Sequence, residues 1–183
     1  NPAKAHSLRA AAFSSVMADI IFGEASAFSV CSTLTLLAPG YREQAVEEAE
    51  HAKAFMRYVA GRLEGCDYPA FGPCPYVTQY VADLLLEEDA NLMAYGLQLF
   101  DMAAYALFKQ MLEHARCETL KAILGKILEH EKRHAEQPVE CDSGRKLIIA
   151  RKMHRVAEGR WERAERVMQH AGVEWKPAES VTE

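Results

Sequence analysis

Two Glu-x-x-His pairs, Glu48–His51 and Glu131–His134, lie in separate helix-forming stretches of the chain. Residues three apart share a helix face, so each pair can aim one carboxylate and one imidazole at a single point. Hard oxygen donors with imidazole suit iron or manganese. Two such helices set face to face supply two Glu and two His. A pair of metal ions needs two further carboxylates, and Glu24 and Asp101 are available on two other long segments.

With 20 Glu and 7 His in the chain, about one such motif arises by chance. Placement therefore matters more than the motif. Both pairs fall on the apolar stripe of their helix rather than opposite it. Burying an unpaired carboxylate is costly, or forces it to take up a proton. Glu24, Glu48, Asp101 and Glu131 on four inward stripes call for a cation at the centre.

The elements that must position them follow from periodicity. A first helix is predicted from about His6 to Leu37, with Phe13, Met17, Ile20, Glu24, Ala27, Cys31 and Leu34 on one stripe. Ala38-Pro39-Gly40 breaks it. A second is predicted from about Tyr41 to Leu63, with Tyr41, Ala45, Glu48, His51, Phe55 and Tyr58 facing inward. Gly65 to Pro75 holds three prolines and two glycines, which excludes a helix and fits a long crossover. A third helix is expected from about Val77 to Ala115, kinked near Glu87 to Asn91. Its stripe is Glu87, Ala90, Ala94, Leu97, Asp101, Tyr105 and Phe108. A fourth, about Glu118 to Gln137, carries Leu120, Leu124, Ile127, Glu131 and His134. Pro138 closes it, and Asp142 offers a cap for a fifth helix, about Arg145 to Ala171. That helix is expected to bury Leu147, Ala150, His154, Ala157, Trp161, Ala164 and Met168 and to expose a basic face, solvated or open to a phosphate-bearing ligand. The expected architecture is a single all-α domain over 1–172, a four-helix bundle plus a fifth helix, with a polar tail at 173–183.

Asp101 lies about 14 residues before the third turn and Glu131 about 14 after, which levels them in an antiparallel pair. Glu24 and Glu48 lie about 15 before and about 9 after theirs, a mismatch of about 9 Å. Glu87 is the reserve ligand on the third helix. Tyr105 and Tyr58 are expected close behind the ligands, while His114 and His130 adjoin the stripes and are expected at the surface.

A carboxylate, then ExxH, then a carboxylate, then ExxH, on four helices with a long central crossover, resembles the ferritin-like di-iron carboxylate superfamily. The likeness spans about Met17 to Glu136. The stretch Asp101-Met102-Ala103-Ala104-Tyr105, with Ile127-Leu128-Glu129-His130-Glu131-Lys132-Arg133-His134, is similar to the catalytic subunit of phenylacetyl-CoA epoxidase-type monooxygenases. The resemblance implies two iron ions bridged by Glu48 and Glu131, with His51 and His134 as terminal imidazoles and Glu24 and Asp101 as terminal carboxylates. It implies an oxidase or monooxygenase acting with O2 on a small organic substrate, fed by an external electron donor such as a reductase. An apolar pocket walled by Leu97, Phe108 and Phe55 is expected beside the metals, with Ala27, Ala52 and Ala94 leaving room. Two alternatives stay open: a ferroxidase or peroxide-reducing protein, and a non-catalytic partner-binding bundle that keeps a metal site. Manganese in place of iron, and a homodimer, are compatible with the pattern.

Composition bounds the rest. Half the residues are hydrophobic, a quarter are charged and the net charge is −5. Neither a nucleic-acid nor a membrane partner is expected from such a balance, no apolar run reaches the roughly 20 residues of a bilayer span, and no secretory leader is evident. The expected compartment is the cytoplasm. Five cysteines without a C-x-x-C argue against a zinc ribbon or a rubredoxin-like iron site, and are read as free thiols. Cys66 and Cys74 are the one pair close enough in sequence to approach each other.

Overall fold

The computed structural model describes the backbone of residues 2–63 and 73–170, and the side chains of 13–38, 40–62, 73–142 and 144–160. Among the described residues the chain is all-α, with six helices and no strand: α1 (Pro2–Leu37), α2 (Arg42–Leu63), α3 (Pro75–Leu85), α4 (Ala90–His114), α5 (Glu118–Ala135) and α6 (Ser143–His170). The crossover expected after α2, and Cys66 with it, falls mostly on residues 64–72, outside the described residues. So do the side chains of Trp161, Ala164 and Met168.

Contacts between helices give their directions. Glu24 meets His51 and Phe13 meets Tyr58, so α1 and α2 are antiparallel. Gln44 meets Asp101 and Phe55 meets Phe108, so α2 and α4 run the same way. Glu47 meets His134 and Arg62 meets Cys117, so α2 and α5 are antiparallel. The four stripes read from the sequence are the ones that pack: Met17, Ile20, Ala27, Cys31, Leu34, Ala45, Phe55, Ala94, Leu97, Phe108, Leu124 and Ile127 are all buried.

Two apolar clusters divide the interior. One gathers Met17, Ile20, Phe55, Phe108, Leu124 and Ile127 from α1, α2, α4 and α5. The other joins Ala27, Cys31, Leu34 and Leu97 to residues of α3 and α6. Along each helix the polar candidates fall at the seam between them. Glu24 lies between Ile20 and Ala27, Glu48 and His51 between Ala45 and Phe55, and Asp101 between Leu97 and Phe108.

The single kinked third helix of the sequence reading is two helices. Leu86 to Asp89 interrupt it, and the Asp89 carboxylate accepts hydrogen bonds from the Asn91 and Leu92 N–H groups to start α4 afresh. Arg145 of α6 holds this break by pairing with Glu87 and Asp89, both at 2.9 Å. Pro75 opens α3 at a position where its missing N–H costs nothing, and the Cys74 N–H donates to the buried Asp19 at 2.7 Å. The Asp142 carboxylate accepts from the Gly144 and Arg145 N–H groups at the start of α6, as its position suggested.

Two expectations are corrected here. Phe13–Leu37 of α1 is long and apolar enough, by length and composition, to cross a membrane. Uninterrupted apolar runs miss it because Asp19 and Glu24 punctuate the segment, and both are buried against other helices. On α6 the buried residues are Ile149 and Val156, with Gly159 against the Tyr76 ring, whereas Leu147 and His154 are exposed. Leu147-Ile148-Ile149-Ala150 is apolar on every side, so periodicity cannot choose its face. Lys152, paired with Asp83 at 2.7 Å, helps seat the helix on α3.

Candidate metal centre

The polar seam is compact. Glu24 of α1, Glu48 and His51 of α2 and Glu131 of α5 each place a ligating atom within 4.8 Å of the others, all four buried, and this group could hold a metal ion. His51 Nδ1 lies 3.0 Å from Glu24 Oε2, 3.0 Å from Glu131 Oε1 and 3.5 Å from Glu48 Oε2. His134 joins through Glu48, with Nδ1 3.0 Å from Oε1. Asp101 is buried beside them but stands outside the four-residue group; its Oδ2 accepts from Gln44 Nε2 at 2.9 Å. The offset foreseen between Glu24 and Glu48 is met in two ways. The 3-10 turn Pro39–Tyr41 adds about 6 Å of rise before α2, and His51, one turn further along, is the residue level with Glu24.

The electrostatics are those of a site short of positive charge. Burial pushes the Glu24 and Asp101 carboxyls well above the usual range, and the neighbouring Glu48 and Glu131 push them the same way. Burial also raises Glu131. Burial opposes charge on His51, yet the facing carboxylates of Glu131, Glu24 and Glu48 outweigh it and push the imidazole up to about 12. His134 is raised in the same way, chiefly by Glu48. Glu48 alone is lowered, because the two imidazoles outweigh its burial. Protons thus supply the charge that a divalent cation supplies in a metal site. Three atoms are close to a partner but misaligned: Glu48 Oε1 and His134 Nδ1 face each other at 3.0 Å, Glu131 Oε1 faces His51 Nδ1 at 3.0 Å, and none of the three makes a well-directed hydrogen bond. A buried polar atom without a well-directed partner is destabilising, and a metal ion held by Glu24, Glu48, His51 and Glu131 would engage the two glutamate oxygens.

Both histidines point the same way. Nδ1 faces the carboxylates and Nε2 faces outward to a partner. His134 Nε2 lies 2.7 Å from Glu47 Oε2, and Arg133 Nη2 donates to Glu47 Oε1 at 2.7 Å. His51 Nε2 lies 3.0 Å from His130 Nδ1, with the rings stacked. An outward N–H bonded to a carboxylate fixes the tautomer and leaves the inward nitrogen a lone pair for metal. Gln44, Glu47 and His130 were not foreseen, and His130 is not a plain surface residue. A signal existed: Glu47 and His130 each lie four residues before a histidine of an ExxH pair, and that spacing shares a face.

The remaining candidates lie elsewhere. Glu87 bonds the Asp89 N–H and pairs with Arg145, at the α3–α4 break. Tyr105 is half-buried one turn after Asp101 and makes no hydrogen bond to the cluster among the described residues. Tyr58 packs on Phe13 and Arg62. Four cysteines, Cys31, Cys74, Cys117 and Cys141, are free thiols. Leu97, Phe108 and Phe55, the expected walls of an apolar pocket, are all buried, and the Phe55 and Phe108 rings pack 5.4 Å apart. A groove that does reach the cluster runs between α2 and α5, past His51 and His130.

Comparison with protein-family models, curated proteins and solved structures finds no match to this chain.

Proposed function

We propose that the chain is a ferritin-like, non-haem di-iron oxidase or monooxygenase that uses O2 to oxidise a small organic molecule. One observation carries the proposal: buried carboxylates from α1, α2 and α5 converge on His51 within 4.8 Å, with unsatisfied acceptor atoms facing inward. The helix directions, α1 against α2 and α2 along α4, support a ferritin-like bundle.

Bound iron would supply the electron-transfer chemistry that O2 needs. The chain's residues supply the rest. Glu48 and Glu131 approach from opposite helices, and their carboxylates would hold the metal from two sides. His51 and His134 would hold metal through Nδ1, and Glu24 and Asp101 would complete the ligand set. Gln44 orients Asp101, while Glu47, clamped by Arg133, orients His134. The apolar clusters above and below keep bulk water out. Oxygenation of a C–H bond consumes O2, two electrons and two protons and releases water, so an external electron donor is required.

Anaerobic reconstitution with Fe(II), metal analysis, then O2 uptake and the absorption spectrum test this. About two ions per chain and O2 consumption are expected; a protein that retains no metal overturns the proposal. Glu47 favours a second possibility, since an extra carboxylate beside the cluster is a feature suited to ferroxidase chemistry. Rapid turnover of excess Fe(II) into a ferric mineral would select that alternative.

A further inference from the structure

A groove of about 540 Å³ runs between α2 and α5, a volume that suits a small molecule. Ala54, Ala122, Ile123 and Ile127 give it an apolar floor. Each helix contributes one alanine to its lining, Ala54 from α2 and Ala122 from α5. Lys53, Arg57 and Lys126 stand on its walls against one carboxylate, Glu50. Glu50 is engaged by Lys126 at 3.8 Å. Lys53 and Arg57 sit one turn apart on α2, where like charges repel, and neither has an ion-pair partner within 4 Å among the described residues. One end of the groove is formed by His51 and His130. His51 belongs to the groove wall and to the buried cluster alike, so that end lies one side chain from the cluster.

Resting on the oxidase proposal above, we infer that this groove is the substrate site and that its ligand is an anionic amphipath. A carboxylate sits on Lys53 and Arg57, and an apolar chain lies along Ala54, Ile123 and Ile127 toward His51. Arg57 is six residues beyond His51, about 9 Å of helical rise, which sets the length of a chain that spans from head to cluster. The two free cations select the head, the floor selects the tail, and the position of His51 selects which end of the molecule reaches the cluster.

The test is calorimetric titration of the full chain with octanoate, with amide chemical shifts followed by NMR. Octanoate should bind and shift Ala54, Ile123 and Ile127. The double variant Lys53→Glu, Arg57→Glu should bind it about tenfold more weakly or worse, the equivalent of about 1.4 kcal/mol. Lys109→Glu, exposed on α4 and outside the groove, should bind normally. Octyltrimethylammonium and inorganic phosphate, each lacking half of the recognition, should bind far less well. No octanoate binding, undiminished binding by the double variant, or equal binding of phosphate overturns the inference. Octanoate binding needs no iron. Groove binding in a protein that takes up no iron would leave a ligand site and remove the oxidase proposal. Iron uptake and O2 consumption without octanoate binding would remove the groove inference alone.

Discussion

At the residue scale the carboxylates proposed to bridge two ions and the imidazoles are not equivalent. Glu48 contacts both histidines, at 3.5 and 3.0 Å, so Glu48→Ala should lose both ions, as should Glu131→Ala. His51→Ala or His134→Ala should weaken mainly one; metal content by elemental analysis checks this. Glu47 touches no metal in this scheme but holds His134. Glu47→Ala should therefore lower metal affinity by about 10–100-fold while leaving stoichiometry intact at saturating metal. A titration that shows no change would reduce Glu47 to a surface ion pair with Arg133. A third residue-scale prediction concerns Cys117. The Leu120 N–H in the first turn of α5, with Tyr58 and Arg62, pulls its thiol down to about 7. Burial pushes Cys31 and Cys141 the other way. Because the thiolate is the reactive form, Cys117 should be half-ionised near pH 7 and alkylate first. Peptide mass mapping after brief iodoacetamide treatment should show its rate rising through pH 7 rather than pH 9.

At the element scale, two glycines in helix interiors face opposite surroundings. A Cβ on Gly96 of α4 would clash with Leu84 Cδ2 of α3, and Leu84 is buried in the core, so it must shift against its neighbours. Gly96→Ala should cost about 1–3 kcal/mol through overpacking. A Cβ on Gly125 of α5 meets nothing within 4 Å, so Gly125→Ala should stabilise by about 0.5–1 kcal/mol through helix propensity alone. Urea midpoints of the two variants should move in opposite directions. A further contact holds α3, a short helix, against α4: Tyr80 Oη donates to the Gly96 carbonyl at 2.8 Å.

For the whole molecule, the cluster is a conflict built into the core. Two apolar clusters pack around a seam whose unsatisfied atoms and raised carboxyls favour a cation. Metal that binds the folded chain alone stabilises it by mass action, about 2.7 kcal/mol at a hundredfold excess over Kd. For a chain of this size that corresponds to a rise in Tm of about 5–10 °C. Differential scanning calorimetry with and without Fe(II) or Mn(II), under argon, should show the rise in the native chain and none in Glu48→Ala. An equal rise in both would place the metal elsewhere.

The inward faces of α1, α2, α4 and α5, and with them Glu24, Glu48, His51, Asp101, Glu131 and His134, were legible in the linear chain. Helical period is local, and an acid on an apolar stripe stands out without reference to any other helix. The Asp142 cap and the α1–α2 turn were legible for the same reason. The interruption at Leu86 to Asp89 was only half legible, since its closing depends on Arg145 reaching across from α6. The face of α6 was not legible at all, because a segment apolar on every side has no preferred orientation until α3 and α4 offer a surface to cover. Gln44, Glu47 and His130 take their roles from which side chains lie opposite them across α2, α4 and α5. The groove likewise depends on how the surfaces of α2 and α5 meet, which neither helix shows alone. Periodicity within one helix settles which side of it is buried; the distance between two helices settles which polar groups become partners and where space remains.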